Sequence, residues 1–249
     1  MLITTPIFYI NARPHLGHAY TMVLADAYAR FKRLLGAKEV KISTGCDEHG
    51  SKVYQAAMKN SLDASEYCNQ MSKKFETLAR DLRIEYTHFS RTSNPDHIRR
   101  VQEFWTQISD DIYKCRHQGW YSTVDECFYP ESQIEQCGDY YISRETKSKV
   151  ELSFEENYMF RLSKYKDAIK EALNKSEIVI PTSRKNDLWN WVEDLEDLSI
   201  SRPISKAPWG VPVPDDSSQT IYVWLDALVS YLSPEDTQII HFMGKDILK

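Results

Sequence analysis

The opening of the chain combines a short run of β-branched and aromatic residues with a longer run of helical periodicity. Residues 3–9, Ile-Thr-Thr-Pro-Ile-Phe-Tyr, predict an extended strand. Apolar side chains then recur at the spacing of one helix face, and Gly36 ends the pattern. The positions on that face are Tyr20, Leu24, Ala27, Phe31 and Leu34. The sequence therefore predicts a strand that leads into a long helix.

The same alternation continues to about residue 113. Residues 40–44 and 87–91 predict two more strands, and a helix is predicted between them from Asp63, which can form a capping box with Glu66. A further helix begins at Pro95, since proline favours the first helical position. Strands that alternate with helices are typical of a parallel sheet, so we predict an α/β fold.

Residues 114–199 differ in texture from the rest of the chain. Short aromatic segments after Gly119, broken by Pro130, predict small antiparallel strands. Residues 154–173 and 183–195 predict helices. We therefore expect a small α+β module that is inserted into the parallel α/β fold.

The final segment returns to the pattern of the first 113 residues. Residues 220–224 and 238–243 predict strands of the same sheet. The pattern thus divides the chain into an α/β segment at 1–113, a separate module at 114–199 and a return to the α/β pattern at 200–249. Open parallel sheets bind ligands beyond the carboxyl ends of their strands, so we expect the functional residues there.

A pair of histidines marks the start of the first long helix, in His15-Leu16-Gly17-His18. The unpaired N–H groups and the dipole at a helix N-terminus attract anions such as phosphate. The two imidazoles add donors, and Gly17 lets a flat ring approach the backbone. In isolation such a tetrapeptide is a weak signal, because a histidine can also simply cap a helix. We interpret it as a nucleotide-phosphate site.

Composition narrows the class of protein. The 249 residues, 42% of them hydrophobic, suit one large or two modest globular domains. The net charge of −5 gives no support to nucleic-acid binding. No run approaches the roughly 18 apolar residues of a membrane span, and no signal peptide is visible. We expect no membrane partner and a cytoplasmic location, with a mitochondrial one as the alternative.

The five cysteines, at positions 46, 68, 115, 127 and 137, form no Cys-x-x-Cys pair. Their number is odd and their spacing lacks metal-ligand pairs, so the sequence predicts neither a disulfide framework nor a zinc knuckle. Reduced thiols and the absence of a metal site are the expectation.

Five segments, in this order, resemble signature segments of the class I aminoacyl-tRNA synthetases, and in particular of the methionyl-tRNA synthetase family. They are His-Leu-Gly-His at 15–18, Thr-Gly-Cys-Asp-Glu-His-Gly at 44–50, Ser-Ile-Ser-Arg-Pro at 199–203, Tyr-Val-Trp-Leu-Asp-Ala at 222–227 and Phe-Met-Gly-Lys-Asp-Ile at 242–247. The resemblance covers the whole chain. It implies a Rossmann-like nucleotide-binding fold split by a connective peptide, here in a form without zinc.

The resemblance also implies an activity. Methionine would react with ATP, accompanied by Mg²⁺, to give methionyl-adenylate, and the methionyl group would pass to tRNA(Met) in the full-length enzyme. His15 and His18 would be catalytic donors to the phosphates. The residues that the resemblance assigns to ATP are Asn11, His15, Gly17, His18, Gly244 and Asp246.

For methionine, the resemblance places Asp47 at the ammonium group, where a carboxylate forms a charge-assisted hydrogen bond, and Arg202 would steady it. Trp224, Ala227 and Tyr231 share one helix face with Leu228 and would surround the thioether, although such a face can also be a plain core stripe. The full set expected to bind methionine is Ile7, Tyr9, Asp47, His49, Arg202, Trp224, Ala227, Tyr231 and Ile247.

The chain ends at Lys249, whereas the family continues through a KMSKS loop and a helical anticodon-binding domain. We therefore expect little aminoacylation activity from this polypeptide alone, and we leave its oligomeric state open with a monomer favoured. Two alternatives remain. One is a class I synthetase for leucine, isoleucine, valine or cysteine, which would bring a longer insertion or zinc-spaced cysteines. The other is a nucleotide-binding fragment without catalysis.

Overall fold

The computed structural model describes residues 1–125, 127–175, 178–232 and 239–241, which fall into two compact units. The first unit combines Met1–Phe104 with Ile204–Lys249, and the second is Trp105–Pro203. The second unit therefore contains the whole of the segment 114–199. Within the described residues, no helix combines the length and the apolar character needed to cross a lipid bilayer.

Strands and helices alternate at first and then give way to a run of strands. In chain order the elements are β1 (Leu2–Thr4), β2 (Phe8–Tyr9), α1 (Leu16–Leu34), β3 (Lys41–Asp47), α2 (Ser51–Lys59), α3 (Ala64–Asp81), β4 (His88–Arg91), α4 (Pro95–Gln107), β5 (Ile112–Ser122), β6 (Cys127–Tyr129), β7 (Ile134–Cys137), β8 (Tyr140–Ser143), β9 (Lys149–Phe160), α5 (Lys166–Lys175), α6 (Thr182–Glu193), β10 (Leu198–Ser199), β11 (Ser201–Pro203), β12 (Pro212–Val213), β13 (Asp216–Ile221), α7 (Val223–Val229) and β14 (Ile239–His241).

The main sheet of the first unit is parallel. β1 pairs with β14 on one side and with β3 on the other, β2 pairs with β3, and β4 pairs with the opposite edge of β3. The predicted parallel α/β fold is confirmed. The strand predicted at 220–224 ends earlier than expected, because β13 stops at Ile221 and α7 begins at Val223.

The connection from β1 to β2 contains one residue more than the part of β3 that it runs beside. Thr4 pairs with Ser43, and Phe8 pairs with Cys46, so three residues stand opposite two. Pro6 lies in this gap and has no N–H to give to the sheet. The single opening strand that the sequence predicts is therefore two short strands joined by a bulge.

The helix α1 buries a different face from the apolar stripe that predicts it. Met22, Ala25 and Ala29 are fully buried. Most of the stripe is exposed, including Phe31 at 53% and Leu34 at 85%. Ala25 and Ala29 pack in one core cluster with Ile3 of β1 and Ile42 of β3. Alanine contributes little to an apolar pattern, so the pattern did not identify the buried face.

The second unit is built on an antiparallel sheet. Its strands run in the order β6, β5, β9, β8 and β7, and β10 pairs with the other end of β9. The helices α5 and α6 contact each other. The predicted antiparallel strands and the predicted helix at 183–195 are confirmed.

The helix predicted over residues 154–173 is wrong in its first half. β9 continues to Phe160 and pairs with β5 over ten positions, and α5 begins only at Lys166. Glu155, Asn157 and Met159 are buried, and this alternation is the period of a strand. Two of the buried positions are polar, so the pattern of apolar residues did not reveal the strand period.

Candidate active site

Two histidine side chains form the N-terminal cap of α1. His15 is the N-cap residue, and its Nδ1 accepts a hydrogen bond from the Gly17 amide at 3.1 Å. The Nδ1 of His18 accepts one from the His15 amide at 3.0 Å. The ring centroids lie 3.8 Å apart in a stacked arrangement. This is a capping box in which imidazoles replace the usual hydroxyl and carboxyl groups.

The cap determines which nitrogen of each ring carries the proton. A ring nitrogen that accepts a hydrogen bond has no proton, so in a neutral ring the proton lies on Nε2. Burial, and after it the charge of His15, lowers the pKa of His18 to about 4, and this ring is therefore neutral at pH 7. Phe8 and Phe75 hold it from the side, with centroids 4.9 and 5.1 Å away. The start of α1 thus offers Nε2–H donors for an anion.

The carboxyl ends of β2 and β3 place two predicted methionine-binding residues side by side. Tyr9 pairs with Asp47, and both are partly buried. The Ile7 amide donates a hydrogen bond to the Tyr231 hydroxyl at 2.8 Å, which ties the first strands to the segment after α7. The structure therefore brings Ile7, Tyr9, Asp47 and Tyr231 into one region of the first unit.

Only one side of α7 belongs to the core. Asp226 and Val229 are buried, whereas Trp224 and Leu228 are 60% and 57% exposed among the residues that the structure describes. Ala227 is half-buried between them. A plain core stripe is therefore not the explanation for Trp224 and Leu228, and an exposed indole next to a small residue is available to a ligand.

His49 contacts a buried carboxylate. Its Nδ1 lies 2.7 Å from Asp226 Oδ2, and His97 Nε2 lies 2.7 Å from Asp226 Oδ1. The predicted contact of His49 with methionine stays a prediction. Asp226 lies within the Tyr-Val-Trp-Leu-Asp-Ala segment but received no role from the sequence, and no quoted segment contains His97. The available signal was a charged residue three positions before Val229 on the inner face of a short helix.

Glu48 is a second buried carboxylate that the motif alone did not single out. It is 0% exposed and accepts hydrogen bonds from Arg91 Nε at 2.7 Å and Nη2 at 3.2 Å. The hydroxyls of Ser72 and Ser93 also donate to it. These bonds fix the segment that follows β3, and with it the neighbouring Asp47, to α3 and to the end of β4.

Arg202 lies in the second unit and is buried there. Its Nη1 donates to Ser199 Oγ at 2.8 Å and to the Ser201 carbonyl at 2.7 Å, and its guanidinium lies 5.8 Å from the centre of the Phe128 ring. The support that Arg202 is expected to give to Asp47 stays a prediction.

The remaining predicted residues divide into two groups. Asn11 is exposed and, with Arg13 and Lys74, lines a cavity of about 240 Å³. Gly244, Asp246 and Ile247 lie outside the described residues. Among the side chains that are described, no three His, Cys, Asp or Glu groups are placed to hold a metal ion.

Comparison with known proteins gives one consistent result. The family model of the class I tRNA synthetases, type M, matches residues 1–236. The probable mitochondrial methionine–tRNA ligase of Neurospora crassa is 44% identical over 99% of this chain and 43% of its own length. The mitochondrial methionine–tRNA ligase of Xenopus laevis is 44% identical over the whole chain and 47% of its own length.

A solved structure is also similar. The methionyl-tRNA synthetase of Mycobacterium tuberculosis bound by methionyl-adenylate matches with a TM-score of 0.86 and 38% identity, over 92% of this chain and 46% of that one. The chain thus spans about half the length of the relatives that it matches. With a family model that matches nearly its whole length, the chain belongs to the class I tRNA synthetases of the methionine type.

Proposed function

We propose that this chain binds methionine and ATP and forms methionyl-adenylate, as the catalytic part of a methionine–tRNA ligase. The observation that carries the proposal is the cap of α1. In this cap the Nδ1 atoms of His15 and His18 accept hydrogen bonds from backbone amides. The proton of each neutral ring therefore lies on Nε2, which is left for a ligand. An uncapped pair of histidines would have no such fixed tautomer.

The reaction needs position and charge stabilisation rather than a covalent intermediate. The methionine carboxylate attacks the α-phosphorus of ATP, the bond to the β-phosphate oxygen breaks, and pyrophosphate leaves. Negative charge develops on the phosphate oxygens, where the Nε2–H groups of His15 and His18 donate. Loss of one such donor costs about 3 kcal/mol, so removal of either imidazole lowers adenylate formation on the order of 100-fold.

Methionine lies across the strand ends in this proposal. Its ammonium group binds Asp47, which Arg202 steadies, and its thioether packs on Trp224. Ile7, Tyr9, Ala227 and Tyr231 complete the pocket, and the pairing of Tyr9 with Asp47 supports this placement. His49 acts at the edge of the pocket, and Ile247 is assigned to it from the family pattern.

On the nucleotide side, Asn11 and Gly17 contact ATP near the start of α1, and Gly244 and Asp246 contact its ribose. Mg²⁺ accompanies the ATP phosphates. The described residues contain no cluster of three ligand side chains for it.

The full-length enzyme would transfer methionine to tRNA(Met), and this chain supplies its activation domain. Residues 114–199 are the connective peptide, between 1–113 and the start of the second half at 200–249. The names of the relatives from N. crassa and X. laevis support a mitochondrial location over the cytoplasmic one. A monomer is the favoured oligomeric state.

Calorimetry on the purified chain tests the binding step. We expect methionine and a non-hydrolysable methionyl-adenylate analogue to bind, and leucine to bind at least 10-fold more weakly. His18→Asn keeps an acceptor for the cap but removes the Nε2–H donor, so it should weaken the analogue about 10-fold and leave free methionine unchanged. The matched control His88→Asn alters an exposed histidine on β4 and should change neither.

Two results would contradict the proposal. One is the absence of methionine binding by a folded chain, and the other is an unchanged analogue affinity in His18→Asn. Pyrophosphate exchange by the chain alone should be slow, because about half of the length of its relatives is not present. A rate close to that of a full-length synthetase would refute this expectation.

A further inference from the structure

Asp226 joins three segments that are distant in sequence. Its carboxylate is fully buried and holds His49, which follows β3, on one oxygen and His97, in the first turn of α4, on the other, each at 2.7 Å. The sequence separations are 177 and 129 residues. A single acidic side chain therefore fixes α7 to the end of β3 and to the start of α4.

The two histidines compensate for the burial of the Asp226 carboxylate. Burial would raise the pKa of the Asp226 carboxyl, but the hydrogen bonds from His49 and His97 outweigh it, so the pKa lies below its usual value and the group is ionised at pH 7. His49 is also held by the Trp209 ring, 5.4 Å from its own. A buried carboxylate is tolerated only with such partners, which makes the geometry specific.

The hydrogen bonds of Asp226 orient α7. Asp226 and Val229 are three positions apart and both point into the core, so Trp224 and Leu228 must point outwards. The turn that follows the helix is fixed separately, because the Tyr231 hydroxyl accepts a hydrogen bond from the Ile7 amide. The Asp226 cluster, which is His49, Asp226 and His97, thus holds the buried face of α7 and leaves the side with Trp224 exposed.

We propose that the Asp226 cluster is a positioning device that sets methionine affinity by holding the Trp224 helix against the end of β3. This inference rests on the proposed function, since it needs methionine to lie between Asp47 and Trp224. His97 belongs to no segment that the sequence marked as part of the site. It acts through Asp226, so its effect reaches methionine and leaves the phosphate donors at α1 unchanged.

The test compares two ligands in variants of His97. His97→Leu fills a similar space without a donor, whereas His97→Gln restores an N–H donor near the position of Nε2. Calorimetry with methionine and with a non-hydrolysable ATP analogue is combined with urea unfolding of the same chain. We expect His97→Leu to weaken methionine at least 10-fold and the ATP analogue less than 2-fold. His97→Gln should recover most of the methionine affinity, and His88→Leu should match the unaltered chain.

Three outcomes would overturn the inference. They are methionine binding by His97→Leu within 2-fold of the unaltered chain, an equal loss of both ligands, and no recovery in His97→Gln. If His97→Leu does not fold, Asp226→Asn decides, because it keeps the side-chain shape and removes the charge. An unchanged methionine affinity there also overturns the inference. If the unaltered chain binds no methionine, the proposed function fails instead, so the two failures are distinct.

Discussion

Gly45 lies where β3 and β4 approach so closely that only a hydrogen atom fits. A Cβ built on Gly45 would be 2.1 Å from the Ser90 carbonyl oxygen, and 2.8 Å from both the carbonyl carbon and the Cβ of Ser90. Close carbon–oxygen contacts in sheets are about 3.3 Å, so the strands would have to separate by about 1 Å. The obstructing atoms are largely backbone, which cannot rotate away.

The cost of Gly45→Ala follows from this overlap. Inserting a methyl group into a packed interior costs about 1–3 kcal/mol, and each weakened strand hydrogen bond adds about 1 kcal/mol. We expect a loss of about 3 kcal/mol in the free energy of unfolding. Gly45 is two residues before Asp47, and a displacement of 1 Å in a positioned group can cost on the order of 100-fold in rate. Methionine affinity should therefore fall at least 10-fold.

Urea unfolding followed by circular dichroism measures the first effect, and calorimetry measures the second. Gly36→Ala is the contrasting variant, since a Cβ there meets no atom within 4 Å while its φ of +92° is unfavourable for alanine by about 1–2 kcal/mol. It should leave methionine affinity unchanged. The reasoning is refuted if Gly45→Ala destabilises the chain no more than Gly36→Ala does.

Three further predictions concern charged and titratable groups. Because the pKa of His18 is lowered to about 4 in the folded chain, the unfolded chain binds the proton at higher pH. The free energy of unfolding should therefore fall as the pH is lowered from 6.5 towards 4. His18→Asn should flatten this pH dependence, measured as urea midpoints. Arg91→Ala leaves the Glu48 carboxylate buried without its cation and should cost about 3–5 kcal/mol, and a loss below about 1 kcal/mol would contradict this. Asp125→Ala removes the acceptor of three hydroxyl groups in the second unit and should cost about 3 kcal/mol, with faster amide exchange confined to that unit.

The sequence predicted the parallel fold because its strands and helices differ in period. It raised the helix cap only as an alternative to the phosphate site, since His15 and His18 are local to one helix start. It failed where burial does not follow hydrophobicity. Glu155 and Asn157 are buried in β9 with a hydrogen bond of 2.9 Å between them, so a strand was read as a helix. On α1 the buried residues are Thr21, Met22, Ala25, Asp26 and Ala29, and all of them except Met22 carry little weight in an apolar pattern.

The Asp226 cluster could not be predicted for a different reason. His49 and His97 each lie more than a hundred residues before Asp226 in the chain, and each is an ordinary polar residue in its own segment. Only the folded topology shows that His49 and His97 reach the same carboxylate. Local motifs therefore predict the groups that we propose to contact ligands, whereas the groups that we propose to orient them emerge only from the tertiary structure.

The extra residue between β1 and β2 links the spacing of the first strands to Tyr231, in the turn after α7. In a regular parallel strand the Ile7 amide would be used within the sheet, but the bulge releases it for the Tyr231 hydroxyl, 224 residues later. A deletion of one residue from this gap would straighten the strand and keep Tyr9 beside Asp47. The same deletion would remove the N–H donor that anchors the Tyr231 hydroxyl. A straighter strand would pair more regularly, but the spacing of residues 5–7 tolerates no shortening for this reason.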